Sequence, residues 1–184
     1  MRIIYILSLL LMTNIASAST TLKTFDSASL QAQAVESAKA EGVTNVNIIK
    51  DQSFSINKDG SPVGFIISVK GKLKEMQSVC LIGWSLDGKK LIKLLPTVGF
   101  GEWQSVTCAG VNAVGVVSKK DDQDLKLGII YHTMTRFNDS PDYYILGVNS
   151  VDKTIFYDSK TTHKLDSSEA KNIAELRRDL QKEK

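Results

Sequence analysis

Glu102 and Trp103 stand side by side in the run Gly99-Phe100-Gly101-Glu102-Trp103. An indole ring offers a large apolar contact area, and a neighbouring carboxylate adds a charged hydrogen-bond acceptor. On a glycine-flanked loop, that pair suits binding of a sugar or of another protein. Phe100 has glycine on both sides, so the segment Thr97 to Trp103 is expected to project, with Phe100, Glu102 and Trp103 as its binding residues. The competing reading places Trp103 in the core, at the start of a strand running to Cys108.

Only two histidines are present. His132 falls in the apolar run Leu125 to Thr135. A period of two sets it with Gly128, Ile130 and Met134 on one face, and sets Tyr131 with Leu127 and Ile129 on the other. Both faces are mostly apolar, which points to a central strand. His132 is expected there as a half-buried, hydrogen-bonded residue, with a role in a site as the alternative. His163 lies in the polar stretch Lys160 to Lys164, expected to be a surface loop.

Enzyme signatures are sparse. A nucleophilic serine on a sharp turn, as in G-x-S-x-G, is absent. Asp121, Asp122 and Asp124 lack the spacing of a calcium loop and read as a solvated acidic turn. Neither glycine-rich phosphate loop occurs after a strand. No catalytic residue is therefore assigned, and no cofactor is expected.

Cys80 and Cys108 are the only cysteines. They lack a C-x-x-C spacing or a neighbouring histidine cluster, so no metal site is expected. In an oxidising compartment, they are expected to pair with each other. Within Val79 to Leu86, Cys80 shares a face with Ile82 and Trp84, which places the bridge near the Trp84 ring.

The compartment follows from the first residues. Arg2 is followed by the apolar run Ile3 to Met12 and then by Ala16-Ser17-Ala18, the small-residue ending a signal peptidase reads. Residues 1–18 are thus expected to be a cleavable signal peptide, and 19–184 a single mature domain, periplasmic or secreted. The apolar run is shorter than the roughly 20 residues a bilayer span needs. Loss of Arg2 lowers the formal charge from +3 to about +2. A balance that mild does not indicate a nucleic-acid partner.

The elements that must position these residues are helix, many short strands, helix. Ser29 to Glu41 is rich in Ala, Gln and Glu, with Asp26 or Ser27 as cap, Gly42 as stop, and Leu30, Ala34, Val35 and Ala38 on one face. Candidate strands follow at Val46 to Ile49, Val63 to Val69, Val79 to Leu86, Lys90 to Leu95, Leu125 to Thr135, Tyr143 to Val148 and Thr154 to Tyr157. Asp87-Gly88 marks a hairpin. Trp103 to Cys108 and Val111 to Val117 suggest a second, turning at Ala109-Gly110. Asp166-Ser167-Ser168-Glu169 has the form of a capping box for a last helix with Ile173, Leu176 and Leu180 on one face. Strands in a run with helices at the ends predict an α+β fold, mainly antiparallel sheet, with both helices packed on one side.

Three functions are compatible with this pattern. The first is a non-enzymatic protein-binding module of the cell envelope, such as an inhibitor, an immunity protein against an envelope-directed toxin, or an accessory subunit of a surface machine. The second is a small exported hydrolase using Glu102 or His132, which predicts a cleft gathering those residues. The third is a carrier of an apolar ligand, which predicts a closed apolar cavity. The intact mass of the exported protein is expected to correspond to a chain starting at Ser19. A mass that retains Arg2 and the apolar run would end the export reading.

Overall fold

The computed structural model describes residues 19–119, 122, 124–149 and 151–182. The expected signal peptide and Asp121 lie outside the described residues. The fold is α+β, with two antiparallel sheets and a helix near each end. The first sheet is a meander of β1 (Thr20–Thr24), β2 (Val43–Lys58), β3 (Ser61–Leu73), β4 (Gln77–Ser85) and β5 (Leu91–Pro96). The second is a meander of β6 (Thr107–Val116), β7 (Leu125–Met134), β8 (Asp139–Val148) and β9 (Ile155–Tyr157). The chain therefore crosses between the sheets once, from Pro96 to Thr107.

Alternation along the strands sorts side chains into layers. Ile66, Cys80, Ile82 and Trp84 of the first sheet meet Cys108, Leu127, Ile129, Tyr131, Tyr144 and Leu146 of the second in one buried cluster. The neighbouring residues point outward. Ile67, Val69, Val79 and Leu81 form the outer face of the first sheet, covered by Leu30, Ala34 and Ala38. Ile130, Tyr143 and Ile145 form the outer face of the second, covered by Leu165, Ala170 and Leu176. The order of layers is helix, sheet, sheet, helix.

This corrects the expectation that both helices lie on one side. Strands β3, β4, β7 and β8 are apolar on both faces, so each sheet has an outer face that needs its own cover. Helix α1 (Gln31–Ala40), entered through a 3-10 turn at Ala28–Leu30, takes one. Helix α3 (Ile173–Lys182) takes the other. Val35, expected on the buried face of α1, is instead 42% exposed.

Local signals explain most element ends. Asp59 and Gly60 both have positive φ (54° and 78°), which gives the β2–β3 hairpin the backbone twist its strands need. The β4–β5 connection forms as expected. Its Asp87 carboxylate accepts hydrogen bonds from the Lys89 and Lys90 amides at 2.8 and 2.9 Å, and these hold the acid below the usual carboxylate range.

Three expectations fail for identifiable reasons. Trp103 to Val117 is not a hairpin. Cys108, Ala109 and Gly110 lie within the single strand β6, where the register with β7 shifts between Cys108 and Gly110. Gly110 is not among the residues with positive φ, so Ala109-Gly110 makes a bulge rather than a turn. The capping box at Asp166 is also displaced. Asn172 caps α3 instead, accepting from the Glu175 amide at 3.0 Å, while Glu175 reaches back to the Lys171 amide at 2.8 Å. Lys160 to Lys164, expected to be a surface loop, instead lies in a short helix, α2 (Ser159–Thr162), and a following 3-10 turn (His163–Leu165).

Cys80 and Cys108 form a disulfide with their Cα atoms 5.7 Å apart, both fully buried in the cluster that holds Trp84. It joins β4 of one sheet to β6 of the other. Among the described residues, no helix is long and apolar enough to cross a membrane. The bridged cysteines are 28 residues apart. Replacing both by alanine is expected to destabilise the chain by about 3.5 kcal/mol on the chain-entropy model. Urea unfolding of the oxidised wild type against the Cys80→Ala/Cys108→Ala variant measures this.

Candidate functional site

The segment that crosses between the sheets is fastened at its start. The Thr97 amide donates to the Cys80 carbonyl and the Cys80 amide to Val98, each at 3.0 Å. The Thr97 hydroxyl also donates to the Cys80 carbonyl at 2.7 Å, and the buried Tyr131 hydroxyl donates to Thr97 at 2.9 Å. Gly99 has φ +96°, and a Cβ there would lie 2.4 Å from a Val79 methyl, so only glycine fits. The Gly99 amide then donates to the Trp103 carbonyl at 3.1 Å, closing the loop around a 3-10 turn at Gly101–Trp103.

This geometry corrects the expectation of a projecting loop. Phe100 is partly buried and packs against the cluster beneath α1. Trp103 is partly buried and packs against the cluster between the sheets. Glu102, between them, is exposed.

The second sheet brings two further rings to Trp103. Tyr144 of β8 lies 5.5 Å from it between centroids and Tyr157 of β9 lies 5.7 Å away; the two tyrosines stack at 4.4 Å. The Tyr157 hydroxyl donates to Glu102 Oε1 at 2.6 Å. His163 Nε2 stands 3.7 Å from Glu102 Oε2, and its Nδ1 is 3.7 Å from Asp166. His163 is placed by α2, whose cap Asp158 accepts from the Thr161 amide at 3.0 Å and pairs with Lys126 at 2.7 Å. Burial pushes Asp158 up, but the hydrogen bonds from Lys126 and Thr161 outweigh it and hold the acid low. The result is an open cleft of about 410 Å³ lined by Pro96, Thr97, Phe100, Glu102, Trp103, Tyr144 and Tyr157 among others.

His132 lies elsewhere. Its ring is hydrogen-bonded to Asp139 across the β7–β8 hairpin. The pair lines a polar cleft of about 740 Å³ with Asp142, Asp166, Glu169 and Lys171. Burial pushes Asp142 up; a hydrogen bond from Thr133 opposes this and the Asp166 charge adds to it. Glu102 and His132 thus line different clefts. Trp103, Asp142 and Asp166 share a small intervening cleft, so the two larger ones are neighbours. Among the described residues, no group of three or more His, Cys, Asp or Glu side chains is placed to hold a metal ion.

Sequence reasoning missed Tyr144, Tyr157 and His163, which come from distant segments. It also missed Phe137, 91% exposed at the tip of the β7–β8 hairpin. There the Thr135 hydroxyl accepts from the amides of Phe137 and Asn138.

No protein-family model, no curated protein and no solved structure matches this chain.

Tyr131, Tyr143, Tyr144 and Tyr157 are all pushed above the usual tyrosine range, in each case chiefly by burial. At Tyr157 the hydrogen bond to the Glu102 carboxylate adds to it. A tyrosine that keeps its proton in the folded chain but loses it on unfolding stabilises the fold fully below the unfolded pKa of about 10. That stability is lost as pH rises beyond it. The urea midpoint is therefore expected to fall with pH above about 10, while phenolate absorbance of the folded chain lags behind that of the unfolded chain. Coincident phenolate titrations of the two states would contradict the burial of these groups.

Proposed function

We propose that this chain is an exported, non-enzymatic protein-binding module of the cell envelope, of the kind an inhibitor, an immunity protein or an accessory subunit would be. The observation that carries the reading is the open aromatic cleft of Trp103, Tyr144 and Tyr157 with Glu102 at its rim. Its walls are fixed before any partner arrives. The loop is tied to Cys80, Cys80 is tied to Cys108, and the tyrosines belong to strands of the second sheet. Preformed aromatic seats suit recognition, because little ordering entropy is lost on binding and aromatic anchors dominate interface energetics.

Export rests on the leader pattern of residues 1–18, and the buried disulfide supports an oxidising destination. Ser19, the first described residue, is tied to the β2–β3 turn. Its amide donates to Asp59 at 2.8 Å and its carbonyl accepts from the Asp59 amide at 3.1 Å, which anchors the head of β1.

The hydrogen-bonded His132–Asp139 pair favours a second reading, a small exported hydrolase in which His132 acts as a base oriented by Asp139.

Charge reversal separates the two. Glu102 is exposed, and Glu102→Lys removes the hydrogen bond from Tyr157 but not the packing of Tyr157 on Trp103 and Tyr144. It is expected to abolish capture of the envelope partner with little change in melting temperature, whereas Lys39→Glu on exposed α1 captures as the wild type does. Equal capture by all three proteins would remove the cleft from the interface. Hydrolysis of a cell-wall or ester substrate that disappears in His132→Ala would make the protein an enzyme.

A further inference from the structure

The residues lining the aromatic cleft include one acid, Glu102, and neither lysine nor arginine. The nearest basic group recorded at that acid is His163, whose Nε2 stands 3.7 Å away, beyond a direct hydrogen bond. Tyr157 occupies one Glu102 oxygen, and Oε2 remains able to accept further donors. Trp103 and Tyr157, with the buried Tyr144 stacked against Tyr157, stand beside one carboxylate and attract a cation in two ways. The ring faces carry the negative end of a quadrupole, and the acid supplies the counter-charge.

We infer that the cleft receives an arginine side chain of the partner protein. The inference rests on the protein-binding reading and names the group that enters. A guanidinium is planar, stacks on aromatic faces, and presents donors in a fork that a carboxylate accepts. An ammonium lacks the flat stacking surface, and a quaternary ammonium lacks donors for Glu102. A volume of about 410 Å³ holds the head group and its alkyl stem. Neighbouring charge is complementary to a basic partner. Asp166 and Asp142 share the intervening cleft with Trp103, and beyond it Asp139 and Glu169 accompany a single lysine, Lys171, so acids outnumber bases along this side.

The test uses the mature disulfide-bonded chain and four small probes: acetyl-arginine amide, acetyl-lysine amide, acetyl-norleucine amide and tetramethylammonium. The readout is the indole N–H resonance of Trp103. That of Trp84, buried on the inner face and donating to the Lys153 carbonyl at 2.8 Å, is the internal control. The arginine probe is expected to shift Trp103 selectively, to bind at least roughly fivefold more tightly than the other three, and to lose roughly tenfold in Glu102→Gln, the loss of one charge-assisted hydrogen bond. Equal binding of tetramethylammonium or norleucine amide would overturn the inference, because the fork or the charge would then be irrelevant. So would the absence of any shift at Trp103. Partner capture is read separately. If Glu102→Lys abolishes capture while arginine amide neither binds nor competes, the arginine assignment fails and the protein-binding reading stands. If all variants capture equally, that reading fails with it.

Discussion

Cys80 sits in the middle of β4 with its side chain between the sheets and its backbone at the root of the crossing segment. Its sulfur is bonded to Cys108 of β6, its amide donates to Val98, and its carbonyl accepts from both the amide and the hydroxyl of Thr97. Because the chain passes between the sheets once, the relative placement of the two meanders rests on this segment, the bridge and the shared core. Lys70 of β3, opposite Cys80 in the register, donates to the Ala109 carbonyl at the β6 bulge and reinforces the same junction. A loop leaving such a root cannot swing freely. The closed turn from Gly99 to Trp103 and the inward lie of both aromatic rings follow from that restriction.

How much of this was legible depends on the distance over which each feature is decided. The hairpins at Asp59-Gly60 and Asp87-Gly88 are decided by local backbone preference, and the sequence carries that preference in plain form. The period-two alternation of Leu125 to Thr135, apolar on both faces, already implied cover on both sides. It takes two such sheets to turn that hint into four layers, and the number of sheets is a non-local fact. Ala109-Gly110 resembles a turn because glycine is common in turns; here glycine permits a bulge that keeps one strand continuous. The candidate strand Val46 to Ile49 is too short, for β2 runs from Val43 to Lys58 with a register irregularity between Ile49 and Phe54. Its polar residues are absorbed locally, with the Ser53 hydroxyl donating to the Ile49 carbonyl at 2.8 Å and the Ser68 hydroxyl to Gln52 at 2.7 Å.

The candidate site divides the same way. Glu102 beside Trp103 on a glycine loop could be singled out from adjacency alone. Tyr144, Tyr157 and His163 lie 41, 54 and 60 residues further on. No local pattern announces that a strand, an edge strand and a helix end will bring them to one place. The projection assigned to Phe100 failed because the glycines around it serve a different need. Gly99 is required by close approach to Val79, and the loop it permits is a tight one.

The cleft owes its existence to the way two sheet edges meet. β5 and β9 each end a sheet, and an exposed edge is a template for pairing with another chain. Here the edges are drawn together by side chains rather than by a backbone ladder. Lys93 of β5 donates to the Ile155 carbonyl of β9 at 3.1 Å, and Trp84 reaches over to the Lys153 carbonyl. Pro96 closes β5 with a residue that has no amide to donate. The groove between the edges is then roofed by the crossing loop from one side and walled by Tyr157 from the other. On the protein-binding reading proposed above, recognition at this place would need no added domain and no moving part. The gap is what two finite sheets leave when side chains, rather than a shared ladder, join their edges, and on that reading it is where a partner would meet the exposed parts of Trp103 and Tyr157.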